Sequence, residues 1–441
     1  MIVLRGESKV KVERVIIEAL MGALRVARKT LSLLSNFEES LSPESRQLLH
    51  CATDSARQLT FPLYLVGGPV RDLLLGRRSV DLDLVVEGKA ERLAAAVADR
   101  LHAKLTAHRR FGTATVTLGT HRLDLATARK ESYPHPGALP KVAPGSLDED
   151  LHRRDFTMNA IALELGGGDG RIVDPCGGRD DLDKGLVRAL HRISFRDDPT
   201  RILRAVRYEQ RLGFRLEEST EAWMLGALAA GALSTISPFR LRREVDLILG
   251  EPSAKASVLR AGALGVWRAL YPPLEDAGWI GRLREEGTGD RPVRFVAALA
   301  WPLTPDQGEA LISRLNMPNS WSAAVRDVIS LRRLDGRLSE EGLSRREVCG
   351  LLEGCSPDAL SVLADYAGTP AAESRVRRYL EEWRYVKPSL GGRELIRLGV
   401  PHGPQIGEVL GLLKRARLEG AAANRQDESA MVREYLAAKG G

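Results

Sequence analysis

The chain has 441 residues, 44% of them hydrophobic, and a formal net charge of +7. A chain of that length builds roughly two to four domains with large cores, its positive balance suits an anionic partner, and no apolar run approaches membrane-spanning length, which excludes a helix-spanning membrane protein. Cys51, Cys176, Cys349 and Cys355 form no Cys-x-x-Cys pair and stand at no zinc spacing from a histidine, so neither a disulfide framework nor a zinc site is indicated, and an aromatic content of 5% speaks against base stacking as the main mode of nucleic-acid contact.

Apolar residues from Val10 to Leu34 recur at roughly helical spacing, and Ser42-Pro43-Glu44 reads as the capped start of a second helix running to about Leu59. Residues 1–56 are therefore expected to be a helical N-terminal extension that packs on a neighbouring domain or a second subunit. The opening Met1-Ile-Val-Leu-Arg-Gly-Glu-Ser-Lys9 turns polar at once, so no signal peptide is expected and the cytoplasm is the expected location.

Leu63 to Val66 is apolar and β-prone, and Gly67-Gly68 breaks it into a tight turn with exposed amides. Pro69 suits a helix start, and Arg71, Asp72 and three leucines fit one short helix before Gly76 stops it. Amides at such a start favour anions, and the turn can approach a polyphosphate closely. In Asp81-Leu82-Asp83-Leu84 the strand period of two sends both carboxylates to one face and both leucines to the other. Taken alone, the pair fits the acidic end of a solvated strand. Two adjacent carboxylates also repel unless a cation sits between them, and a hard divalent ion held by carboxylates and substrate phosphates meets that need.

Gly67-Gly68 followed by Asp81-x-Asp83 resembles the signature of the polymerase-beta-type nucleotidyltransferase superfamily. The fuller text Leu65-Val-Gly-Gly-Pro-Val-Arg-Asp-Leu-Leu-Leu-Gly76 resembles the bacterial class II tRNA nucleotidyltransferases, the CCA-adding enzymes, and the related bacterial poly(A) polymerases. The resemblance implies that Asp81 and Asp83 are catalytic and hold Mg²⁺. It also implies that Gly67, Gly68 and Arg71, with Asp72 beside them, hold a nucleoside triphosphate.

Lys89 to His102 reads as an alanine-rich amphipathic helix, followed by strands at Thr113–Leu118 and His121–Thr127, an order that suggests a small mixed sheet backed by helices. Asp124 alternates with leucines and can project beside Asp81 and Asp83; the resemblance supports it as a third catalytic carboxylate that orients the attacking hydroxyl or accepts its proton. Arg129 to Gly145, rich in proline, reads as a mobile loop. In Arg153-Arg154-Asp155-Phe-Thr-Met-Asn159-Ala160, Asp155 and Asn159 are four apart, which on a helix is one face, and Arg154 can neutralise phosphate oxygens. The same text matches the family's Arg-Arg-Asp-x-x-x-Asn-Ala motif, which implies that Arg154, Asp155 and Asn159 take the ribose. The run Gly166 to Gly170 reads as a hairpin turn, and the stretch from Asp174 to Leu182 resembles the connector from head to neck.

In Asp197-Asp198-Pro199-Thr-Arg201, Pro199 fits the first helical position, which makes Asp198 the cap and places Arg201 three residues on. A cap beside an arginine is ordinary, yet it has a chemical use. Cytosine and adenine both present an amine donor beside a ring-nitrogen acceptor, so an aspartate and an arginine fit them and mismatch uracil and guanine. The stretch resembles the family's Glu-Asp-x-x-Arg base-selecting motif, with Asp197, one methylene shorter, where glutamate is usual. Arg201, Arg204, Arg207 and Arg211 recur at helical steps, either as a solvated face or as a track for RNA phosphates; Arg204 is grouped with the nucleotide and Arg207 and Arg211 with RNA.

From about Ser219 the pattern is helix after helix, with six tryptophans placed as core. Leu398 to Leu410 resembles the tail of class II tRNA nucleotidyltransferases, which implies that helix-start amides at Gly403 to Gly407 hold an acceptor-stem phosphate. The expected fold is α+β: a nucleotidyltransferase head at 57–185, a helical neck at 186–255, and a helical body and tail at 256–441 in an elongated array. The expected reaction is template-independent addition of CCA, or part of it, to the tRNA 3′ end from CTP and ATP. The alternatives are addition of only CC, of only A, or of a poly(A) tail, and a non-catalytic RNA-binding module.

Overall fold

The computed structural model describes residues 33–78, 81–108, 111–166, 170–274, 278–284 and 290–439. The helical stretch expected from Val10 lies almost entirely outside them. The chain forms two compact units that divide between Ile236 and Ser237, inside the 186–255 stretch expected as a neck.

In the first unit, α1 (Pro43–Gln58) begins where the Ser42 hydroxyl accepts the Ser45 N–H at 3.1 Å. There follow β1 (Leu63–Val66), α2 (Gly68–Leu74), β2 (Leu82–Val86), α3 (Ala90–Leu101), β3 (Lys104–His108), β4 (Thr113–Leu118) and β5 (His121–Thr127). Next come β6 (Arg129–Ser132), β7 (Lys141–Pro144), α4 (Leu147–His152), β8 (Ala162–Leu165) and β9 (Ile172–Val173). Seven strands form one sheet in the order β3-β4-β5-β2-β1-β8-β9. Only β2 and β5 run parallel, and their register pairs Asp83 with Asp124. The expected mixed sheet backed by helices is what the chain forms.

Alternation divides the sheet into two faces. Leu82, Leu84, Leu123 and Leu125 are buried on one, the side left for α1 and α3, which pack on β4 and β5. On the other, Tyr64, Val66 and Val85 pack with Leu147 and Leu151 of α4 and with Ala160 and Ala162. The acidic residues lie on this second face, at its edge.

Two local expectations are corrected. The stretch Arg129 to Gly145 is not an open loop: β6 and β7 pair antiparallel, Arg129 opposite Pro144 and Ser132 opposite Lys141. Its strands are polar because Arg129 and Arg153 hold Glu131, at 2.9 Å each, so burial falls on an ion cluster that hydrophobic alternation does not reveal. Asp155 and Asn159 do not share a helical face. The α4 helix ends at His152, and Asn159 closes a short 3₁₀ turn, Thr157–Asn159. A hydrogen bond from Asn159 Nδ2 to Asp155 Oδ1, 3.0 Å, brings them together instead.

After α5 (Gly178–Asp183) and α6 (Ser194–Asp197), α7 (Thr200–Leu212) starts one residue later than expected, with Pro199 as its cap residue. Asp198 Oδ1 still accepts the Thr200 N–H at 3.1 Å and the Thr200 hydroxyl at 2.6 Å. Among its described residues the second unit holds helices and no strands. Trp267, Trp321 and Trp383 are buried, while Trp223, Trp279 and Trp301 are partly so. Its last helices, Gly392–Arg397, Pro404–Glu419 and Arg425–Lys439, gather around Leu395, Val400, Val409, Leu413 and Val432.

Candidate active site

Paired positions on parallel strands project to the same side, so Asp83 and Asp124 stand next to each other, with Asp81 one strand period before Asp83. Solvent reaches Asp83, yet crowding by the protein, then the charges of Asp124 and Asp81, push its pKa up to about 6 against the pull of Arg154 and Arg122. Asp124 is anchored: Thr115 donates to Oδ1 at 2.5 Å and Arg122 Nη2 donates at 3.1 Å. Among the described residues no group of three or more His, Cys, Asp or Glu is gathered for a metal. What is present is a carboxylate pair under mutual repulsion. It fits a hard cation whose remaining ligands come from substrate oxygens.

The Gly67-Gly68 turn lies over a guanidinium. Gly67 has a φ of 73°, and a Cβ there would stand 2.8 Å from Arg154 Nη1. Arg154 donates to Asp150 Oδ2 at 2.9 Å, and its buried Nε has no partner. Arg71, by contrast, is 3% exposed and directed inward. It donates to both oxygens of Asp72 and, at 2.7 Å, to Asn159 Oδ1. Asp72 is thus the partner of Arg71.

Asp155 is saturated. Oδ1 accepts from the Phe156 N–H and from Asn159, and Oδ2 accepts from Nε and Nη2 of Arg204 at 2.9 and 2.5 Å. That fills about four lone-pair sites, so in this arrangement the carboxylate offers nothing to a ribose hydroxyl. Burial alone would raise its pKa, but the charge of Arg204 and the bonds from Asn159 and Arg204 outweigh it and bring it down to about 2.

On α7, Arg201 is buried and held at both ends of its fork, Nη1 by Ser194 Oγ at 2.6 Å and Nη2 by the Arg153 carbonyl at 2.7 Å. Arg207 is buried too, and only Arg211 of the four stands exposed. The regular arginine spacing is therefore not an open basic face. Asp197, in the position of the family glutamate, is not among the groups that hold Arg201. Gly403 precedes the helix Pro404–Glu419, with Gly407 inside its first turn.

Several residues that organise the site escaped the sequence reading: Thr115, Arg122, Glu131, Asp150, Ser194 and Tyr208. Asp150 carried a local signal, standing three and four residues before the two arginines it binds, as did Arg122 and Glu131, each one strand period from Asp124 or Arg129, and Tyr208, one helical turn after Arg204.

Residues 63–188 match the family model described as the poly(A) polymerase head domain. An A-adding tRNA nucleotidyltransferase of Halalkalibacterium halodurans is 34% identical over 92% of this chain and 96% of its own length. The chain belongs to the bacterial tRNA nucleotidyltransferase family. It is accordingly an enzyme, and its family is metal-dependent. Another family member, the CC-adding tRNA nucleotidyltransferase of Deinococcus radiodurans, is also 34% identical, over 90% of this chain and 96% of that one. An A-adding member from Geobacter sulfurreducens is 34% identical over 84% of the chain, which spans only 45% of that longer protein. Among solved structures, the Thermotoga maritima CCA-adding enzyme complexed with tRNA superposes with a TM-score of 0.75 at 31% identity, covering 92% of this chain and 98% of that one.

Proposed function

We propose that this tRNA nucleotidyltransferase adds CCA, or part of it, to tRNA 3′ ends from CTP and ATP. The observation that carries the reading is the carboxylate pair of Asp83 and Asp124, with Asp81 one strand period before Asp83, near the Arg154 guanidinium that underlies the glycine turn. In this reading Asp81 and Asp83 hold Mg²⁺, the ion suited to one or two carboxylates plus phosphates. When bound, Mg²⁺ supplies the positive charge that acidifies the RNA 3′-hydroxyl and neutralises the triphosphate.

The remaining roles belong to the chain. Asp124, fixed by Thr115 and Arg122, orients the 3′-hydroxyl or takes its proton. The amide of Gly68 and the Arg154 guanidinium take the triphosphate, the buried Gly67 N–H being spent on the Ile161 carbonyl at 3.2 Å. Arg201, with two N–H groups spent on Ser194 and Arg153, presents its remaining donors to the base, and Asp198 presents an acceptor. Arg71, Asp155, Asn159 and Arg204 act behind the nucleotide, holding one another. The tail helix starting at Pro404 and the exposed Arg211 meet the RNA. The expected head at 57–185 holds the chemistry in this scheme, and the cytoplasm, where tRNA, CTP and ATP meet, is its place. Among the described residues no helix is long and apolar enough to cross a membrane.

One observation favours partial addition over the full triplet. A-adding relatives are 34–36% identical and CC-adding ones 30–34%, against 27–31% for CCA-adding enzymes. Single-turnover extension of tRNA transcripts ending at the discriminator base, in C and in CC, with each nucleoside triphosphate, decides among them. Completion of CCA on the first transcript establishes the full activity. Extension of only the CC-ended transcript by one A makes it the A-adding type, and no incorporation on any transcript overturns the reading.

A further inference from the structure

Five side chains from three separate segments close into a ring behind the nucleotide site. Arg71 of α2 donates to Asn159 Oδ1 at 2.7 Å, and Asn159 Nδ2 donates to Asp155 Oδ1 at 3.0 Å. Asp155 Oδ2 accepts Arg204 of α7, and Arg204 Nη2 donates to the Tyr208 hydroxyl at 3.3 Å. The Tyr208 ring then closes the circuit, because the Arg71 guanidinium carbon lies 5.2 Å from its centroid. Arg204 and Arg207 lie over the same ring at 5.5 and 5.2 Å, and the Phe156 ring packs edge-on at 5.9 Å.

Three guanidinium groups around one ring repel each other. Arg71 pairs with Asp72 and Arg204 with Asp155, and the negative π-face of Tyr208, 8% exposed, is what the three guanidinium groups share. The ring also spans the nucleotide site. Arg71 follows the Gly67-Gly68 turn by one helical turn, and Arg204 follows Arg201 by one turn of α7.

We propose that Tyr208 is a positioning residue for the incoming nucleotide: by clamping Arg71 and Arg204 to one aromatic ring, it fixes the spacing between the triphosphate-holding turn and the base-selecting Arg201. This rests on the reading that the turn takes the triphosphate and Arg201 the base. A clamp of this kind acts on nucleotide affinity and base choice, and leaves the tRNA contacts untouched.

The test compares the full-length wild type with Tyr208→Leu and Tyr208→Phe. In Tyr208→Leu the KM for the cognate nucleotide rises about tenfold or more and its preference over UTP falls by a similar factor, while kcat and the KM for tRNA stay within about threefold. Tyr208→Phe, which keeps the ring and loses only the long hydroxyl bond, restores affinity and base choice. Wild-type nucleotide KM and fidelity in Tyr208→Leu overturn the proposal, as does Tyr208→Phe being equally impaired. If Tyr208→Leu does not melt cooperatively, Tyr208→Met, unbranched and apolar but lacking the π-face, is read by the same criteria. If the wild type itself extends no tRNA, the functional reading fails, and calorimetric titration of CTP and ATP into wild type and Tyr208→Leu decides the clamp alone. Equal affinities then reject it.

Discussion

Asp83 and Asp124 occupy paired positions on the one parallel strand pair among the described residues of the seven-stranded sheet, and their mutual repulsion is part of what lifts the Asp83 pKa to about 6. That value lies above the ordinary 3.8, so ionising Asp83 costs the metal-free fold stability. The penalty is absent below the unfolded value, grows as pH rises through about 6, and is complete above it. Cation binding needs the carboxylate, so Mg²⁺ affinity falls about tenfold per pH unit below the folded-state pKa. Calorimetric Mg²⁺ titrations across that range check this, and Asp124→Asn moves the midpoint downward. A midpoint indifferent to Asp124→Asn removes the like-charge explanation.

Asp81→Ala abolishes nucleotide addition, by about three orders of magnitude or more, while tRNA binding persists or tightens because a negative charge has been removed. Gel-shift and extension assays on the same preparation check both halves. Turnover surviving the substitution contradicts the assignment of the metal site.

Gly67→Ala places a methyl group against Arg154 Nη1 at a backbone angle that L-residues rarely adopt. The strain is about 1–3 kcal/mol, and the displaced guanidinium raises the KM for the nucleoside triphosphate. Gly76→Ala is the control: its φ is also positive, at 67°, but its Cβ meets nothing within 4 Å. It shares the backbone strain and leaves the nucleotide KM unchanged.

Asp155→Asn keeps the shape but removes the charge opposite Arg204, at a cost of about 3–5 kcal/mol for breaking a buried pair. Because the Asp155 pKa is depressed to about 2, its contribution is fully present above the ordinary 3.8 and is lost as pH falls from there towards 2. Acid unfolding monitored by circular dichroism begins at higher pH in wild type than in Asp155→Asn once their neutral-pH stabilities are normalised.

In the tail, buried Glu428 accepts the Ser389 and Leu390 N–H groups at 2.9 and 2.8 Å and the Arg417 guanidinium at 2.5 Å. Glu428→Ala strands all three donors and destabilises the tail by about 3–5 kcal/mol. Hydrogen exchange then quickens in the Pro404–Glu419 helix while the sheet of the head is unaffected.

Local sequence determined what has a local cause. The alternation of Asp81-Leu82-Asp83-Leu84, the Ser42 cap, and the bounds of β4 and β5 follow from side-chain period and turn chemistry, and the folded chain matches them. The motifs sufficed to name the family. Tertiary structure alone decided which groups meet: that β5 lies parallel beside β2, so that Asp124 faces Asp83, is a register between segments about forty residues apart. It alone decided that polar β6 and β7 pair around a buried Glu131, and that Arg71 and Arg201 are buried among polar partners. The reason is physical. Helical or strand period fixes which side chains share a face, but whether that face meets water, a substrate or a buried carboxylate depends on partners the local sequence does not contain.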